Sequence, residues 1–110
     1  MKYILLIMFL VFSINSASAE NVEREEFVVV IKDHVFVPAE VIVPAEKKIK
    51  LIVDNQDVTP EEFESHELHR EKIIQGGQKG VILLGPLKAG DYKFFGEFHQ
   101  KTAQGILKVQ

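Results

Sequence analysis

From Phe27 to the C-terminus the apolar residues recur at the spacing of strands. Phe27-Val28-Val29-Val30-Ile31 is a β-branched run that suits a strand buried over most of its length. Val35, Val37, Val41 and Val43 continue the pattern, interrupted by Pro38 and Pro44, which places this part at a sheet edge. Ile49, Leu51 and Val53 alternate with Lys48 and Lys50 until Asp54-Asn55 signals a turn. Val81–Leu84 and Tyr92–Phe95 form two further strands separated by Gly85-Pro86 and Ala89-Gly90, and Ile106–Val109 closes the chain. Six to eight short strands with a turn every 8–12 residues predict an all-β sandwich or barrel.

One segment breaks the rhythm. Thr59-Pro60-Glu61-Glu62 carries the marks of a helix start, an N-cap threonine, a proline at the first helical position and a capping-box glutamate. The reading is therefore a single helical turn at 60–64, then a strand from about 67 to 75. On that strand His66 and His69 stand on opposite faces and form a surface pair. On a continuous helix, Glu62, His66 and His69 would instead share one face.

The N-terminus changes the compartment. Lys2, the apolar run Ile4–Phe12 and the small-residue ending Ala17-Ser18-Ala19 match a signal peptide cleaved after Ala19. The apolar run is shorter than the roughly 20 residues of a spanning helix. The expected mature domain is 20–110, exported to the periplasm. It carries 12 basic against 16 acidic residues, a formal charge of −4. Its scattered lysines form no concentrated basic face, so nucleic acid is not an expected partner.

The chain has no cysteine, and both methionines precede residue 20. Cysteine nucleophiles, zinc–thiolate sites, iron–sulfur clusters and copper–thiolate bonds are excluded. Ser65 is the one serine of the mature chain, and no G-x-S-x-G elbow, phosphate loop or H-E-x-x-H motif is present, so hydrolase and transferase signatures are lacking.

The candidate chemistry lies in histidines near carboxylates. His99 follows a strand end, with Glu97 two residues earlier. Glu61, Glu62, Glu64 and Glu67 crowd around an apolar Phe63 whose burial would draw Glu62 and Glu64 to one rim; a cation relieves such crowding. His34 sits where the first strand ends. The expected metal ligands are His99, Glu97, Glu62, Glu64, Glu67 and His34. Imidazole and carboxylate favour Cu(II), iron or manganese over Cu(I), and a site without thiolate lacks the blue copper–sulfur absorption.

Tyr92-x-Phe94-x-Gly96-x-x-His99-x-x-x-Ala103-x-Gly105 resembles the cupredoxin ligand loop Y-x-F-x-C-x-x-H-x-x-x-M-x-G, with glycine in place of the cysteine and alanine in place of the methionine. Phe36–Ala45 and Leu51–Asn55 also resemble cupredoxin strands, and the resemblance covers nearly the whole mature chain. It implies a Greek-key sandwich. It also places the family's first histidine ligand at Glu61 or Glu62, just before Phe63. Thr59–Ser65, Phe94–His99 and Thr102–Gly105 are more narrowly similar to a cysteine-free, EfeO-type subgroup associated with bacterial ferrous-iron uptake. That similarity implies a periplasmic protein that uses copper or iron to assist iron oxidation or uptake, with an inner-membrane iron permease or another uptake component as partner. A non-catalytic copper or iron carrier and a metal-free docking module are the alternatives.

Overall fold

The computed structural model describes residues 23–110; the expected signal peptide lies outside the described residues. Two sheets face each other. One has the strand order β2-β1-β4-β7, from β1 (Glu25–Lys32), β2 (Val35–Val37), β4 (Ile49–Asn55) and β7 (Lys79–Leu84). The other has the order β3-β9-β8-β5-β6, from β3 (Glu40–Val43), β5 (Glu61–Ser65), β6 (Arg70–Ile74), β8 (Gly90–Gly96) and β9 (Gln104–Val109). Pairing is antiparallel except for β1 with β4 and β3 with β9. The proline-flanked strands β2 and β3 are sheet edges, as the proline spacing requires.

Two expectations are corrected. The segment 60–64 is strand rather than helical turn: β5 runs from Glu61 to Ser65, paired with β8 on one side and β6 on the other. Two flanking strands satisfy its backbone, which outweighs a local capping signature. The strand expected from about 67 is β6, Arg70–Ile74, so His66 and His69 lie in the turn before it and not on a strand. Among the described residues the helical ones form one 3₁₀ turn, Glu97–His99. Second, β1 is buried on one face alone. Val29 and Ile31 are fully enclosed, whereas Val28 is 49% exposed, because among the described residues no layer covers the outer side of that sheet.

The core between the sheets centres on Phe36, Phe63 and Phe94, all buried. Phe36 meets Phe94 edge-on at 4.9 Å, and Phe63 stacks on Phe94 at 5.0 Å. Such pairs add about 0.5–1.5 kcal/mol each beyond area burial. Phe94 lies across β9 from Gly105, with its ring where a Cβ would stand. The glycine of the loop motif is thus needed for packing against Phe94.

Asn55, fully buried at the end of β4, organises the connection to β5. Its amide nitrogen donates to the carbonyls of Thr59 (2.9 Å) and Ile74 (3.0 Å), and its oxygen accepts from the Asp57 amide (3.1 Å). Asp57 is thereby turned toward the β1–β2 hairpin, where its carboxylate accepts the amides of Asp33 (2.8 Å) and His34 (3.0 Å). Burial alone would raise the Asp57 carboxyl. The two amide bonds and the nearby imidazoles of His34 and His99 outweigh it and hold the group below its ordinary value.

Gly105→Ala is expected to destabilise the fold by about 1–3 kcal/mol through overlap with Phe94, read from the denaturant midpoint. Asp57 is a depressed carboxyl, so its contribution is fully present above its unfolded value of about 3.9 and is lost as pH falls through the lower folded value. Chemical denaturation between pH 5 and pH 2 should show a flatter acid limb for Asp57→Asn than for wild type.

Candidate metal centre

Strand alternation decides which acids face the site. On β5, Glu61, Phe63 and Ser65 point inward, and Glu62 and Glu64 point outward. Ser65 ties the strand end to its neighbours, its hydroxyl donating to the Lys93 carbonyl at 2.6 Å and accepting the Leu68 amide at 3.1 Å. Glu61 is enclosed at the opposite end of the same face, next to the 3₁₀ turn, with its side chain 2% exposed.

A buried carboxylate needs donors, and Glu61 has three. Its Oε1 accepts the Glu62 amide (3.0 Å) and the Phe98 amide (2.9 Å), and its Oε2 shares a 2.6 Å hydrogen bond with His99 Nδ1. The loop holding His99 is closed on itself. The Gly96 amide donates to the Ala103 carbonyl (2.9 Å), and the Ala103 amide donates to the His99 carbonyl (2.8 Å).

The Glu61 carboxylate fills the place of a side chain at position 96. A Cβ built on Gly96 would stand 2.6 Å from Glu61 Cδ and 2.8 Å from both Glu61 Oε2 and the Ala103 Cβ. The space left by the missing side chain is therefore occupied by carboxylate oxygen. Ala103 is fully buried and closes the methionine position with a methyl group.

His34 lies flat on His99, ring centroids 3.5 Å apart and planes inclined by 13°. A metal ion lies in the plane of each imidazole that binds it, about 2 Å from the nitrogen. Two nearly parallel planes at this spacing do not meet so close to the rings, so this geometry does not let one ion take both histidines. His34 Nδ1 stands 3.4 Å from Asp57 Oδ2. The result is two imidazole–carboxylate pairs, His99–Glu61 and His34–Asp57, stacked ring on ring.

The structure distributes the six expected ligands over three places. His99 and His34 meet at the rim just described. Glu62 and Glu64 lie on the outer face of β5, where with Glu71 of β6 they offer carboxylate oxygens within 4.8 Å of one another. Glu97, exposed on the 3₁₀ turn, reaches Glu64; it also borders the surface hollow lined by His34, Phe98 and His99. Loss of hydration, a hydrogen bond that the protonated Glu64 carboxyl donates to Glu97 and repulsion by Glu97 and Glu62 raise the Glu64 carboxyl above its ordinary value, with His66 acting in the opposite sense. Glu67 is engaged elsewhere, its Oε2 accepting the Lys93 amide at 2.8 Å.

Two site residues escaped the ligand set drawn from sequence. Glu61 was one of the two positions suggested by the family resemblance, and the inward burial of Phe63 two residues later is the signal that selects it. Asp57 had no sequence signal, since the amides it accepts lie 23 and 24 residues away.

A resident copper–thiolate centre does not fit, because the chain has no cysteine and position 96 has no room for a side chain. A borderline or hard cation fits the donors that are present, imidazole nitrogen and carboxylate oxygen at His99 and Glu61.

The chain matches the cupredoxin-like domain over residues 3–109. It is 50% identical over 105 residues to an uncharacterized protein of Rickettsia prowazekii (strain Madrid E), covering 96% of this chain and 84% of that protein. Three solved structures share the fold at low identity. The metal-binding domain of a Streptococcus pneumoniae Cu(I)-exporting P-type ATPase, solved with Cu(I), is 15% identical with a TM-score of 0.65, over 77% of this chain and 84% of that one. Auracyanin A, a blue copper protein from Chloroflexus aurantiacus, is 12% identical with a TM-score of 0.68, over 80% and 100%. Amicyanin from Paracoccus versutus is 19% identical with a TM-score of 0.60, over 84% and 88%. With a domain match spanning almost its whole length and two facing sheets of matching shape, the chain belongs to the cupredoxin-like domain family.

Proposed function

We propose that this chain is an exported, cysteine-free cupredoxin-like protein that binds Cu(II) or iron through His99 and Glu61 and assists ferrous-iron oxidation or uptake. One observation carries the metal reading: the Glu61 carboxylate occupies the place of a side chain at position 96, 2.6 Å from His99 Nδ1. An oxygen and a nitrogen donor therefore stand together where the family's loop has sulfur and nitrogen. The bound ion would supply Lewis acidity and a redox couple, and oxygen ligation favours its oxidised state. Glu61 is fixed by two backbone amides, so it can serve an ion without moving far. Export rests on the signal-peptide pattern, and the iron role and a permease partner rest on the motif resemblance.

A second reading has its own support. Glu61 is fully hydrogen-bonded by protein donors, and among the described residues no buried side-chain polar atom lacks a partner. A site satisfied without an ion also fits a metal-free docking module.

Calorimetric titration of the purified mature domain with Cu(II), Fe(II) and Fe(III), followed by an Fe(II)-oxidation assay, separates these readings. Binding with turnover supports the redox accessory, and binding without turnover indicates a carrier. Absence of heat with all three ions leaves the docking module. Any bound Cu(II) should lack the intense blue band of a thiolate centre.

His99→Ala is expected to weaken binding at least about tenfold, or 1.4 kcal/mol, and Glu61→Gln should weaken it in the same direction. His66→Ala should leave affinity unchanged, because His66 is exposed on the β5–β6 turn against Phe95. The proton shared by Nδ1 and Oε2 must leave for an ion to reach both atoms, so affinity should fall as pH is lowered.

Gly96→Ala is expected to destabilise the protein by about 1–3 kcal/mol. Part of that cost should vanish in a Glu61→Ala background, which removes the carboxylate the new methyl group meets. Strict additivity in this double-mutant cycle would show that the carboxylate does not fill position 96.

A further inference from the structure

The β1–β2 hairpin carries histidine at the turn position that favours glycine. Lys32 pairs with Val35, leaving a two-residue loop of Asp33 and His34, both at positive φ (53° and 60°). Tight hairpin turns of this kind favour Asn-Gly or Asp-Gly, since the second position is left-handed and glycine takes it without strain. Histidine in that position is costly, and such strain persists where surrounding structure over-determines it. Here the brace is visible: Asp57 accepts both loop amides. The product of the strained turn is one specific contact, the His34 ring laid on His99 at 3.5 Å.

We propose that His34 is a positioning residue for His99, resting on the metal-binding reading above: the strained turn and its Asp57 brace press one imidazole flat against the other and fix the His99 ring plane toward Glu61. The parallel planes assign His34 this role rather than ligation of the same ion. Without the stacked ring, His99 is held from one side by its bond to Glu61 and keeps one edge open to solvent. Rotation about its side-chain torsions would then swing Nδ1 away from Oε2. Asp57 acts one step further out, through the hairpin backbone.

Two variants of the full mature domain test this. His34→Gly keeps both loop amides for Asp57, relieves the left-handed strain and deletes the ring. It should raise the thermal midpoint by a few degrees and yet weaken Cu(II) binding at least about tenfold, a split that simple loss of structure does not produce. His34→Phe keeps a ring without nitrogen and should retain Cu(II) affinity close to wild type. In the metal-free protein, the ring-proton resonances of His99 should move downfield in His34→Gly as the shielding ring is lost.

Wild-type Cu(II) affinity in His34→Gly overturns the proposal. So does a loss in a folded His34→Phe as large as that in His34→Gly, which would make His34 a ligand. Unmoved His99 resonances in His34→Gly overturn it without reference to metal. Should His34→Phe not fold, His34→Gly decides through its affinity and its resonances. Should wild type bind no Cu(II), the metal reading fails, and the resonance measurement still decides whether the ring contact exists.

Discussion

A carboxylate buried at the end of a sandwich strand is the constraint from which the site follows. Taking Glu61 out of water costs several kcal/mol, and only well-placed donors offset that cost. The three donors come from β5 itself, from the 3₁₀ turn and from the His99 ring, so one side chain ties a strand to the corner that follows β8. Removing a partner from such a group leaves an uncompensated charge, a loss of about 3–5 kcal/mol in comparable buried pairs. The same side chain forces glycine at 96, since any Cβ there would run into it.

The acids of this end fall into two populations with different physics. Glu61 and Asp57 are ordered by hydrogen bonds from backbone amides, and each faces an imidazole. Glu62, Glu64, Glu71 and Glu97 gather on the outer side of the sheet, where lost hydration, a hydrogen bond to Glu97 and the charges of Glu97 and Glu62 raise the Glu64 carboxyl above its ordinary value. The outer group is crowded without being organised, which exposed carboxylates tolerate at small cost. Chemistry is therefore better placed on the inner pair, despite the larger count of acids outside.

Strand content and an edge position for the segment 35–43 were legible in the alternation and the prolines; that β2 and β3 are edges of two different sheets was not. The segment after Pro60 was misread because its capping signature is local, whereas its strand state depends on pairing with the next strand, β6, and with β8, distant in sequence. That error had a chemical consequence. A one-residue choice of inward position separates Glu61 from Glu62, and in a strand it moves a carboxylate from the interior to the opposite face. His99 and His34 were legible as residues at strand ends. Their stacking was not, because it depends on how the β1–β2 hairpin leans over the 96–104 loop. Asp57 was invisible for the same reason, its role being set by Asn55 and by a turn far upstream.

Replacing sulfur with Glu61 alters more than the preference for one oxidation state. A thiolate centre presents a ligand set complete within the protein. Here the fold supplies two adjacent donors that already satisfy each other, with the second histidine turned parallel and out of reach of a shared ion. An incoming cation must exchange with a proton and complete its sphere with water or with groups from another molecule. Sites with open positions exchange their ligands, whereas sites closed by four protein ligands hold the ion as structure. On the proposed metal reading, the arrangement at His99 and Glu61 is of the open kind, which suits transient custody of an ion better than permanent storage.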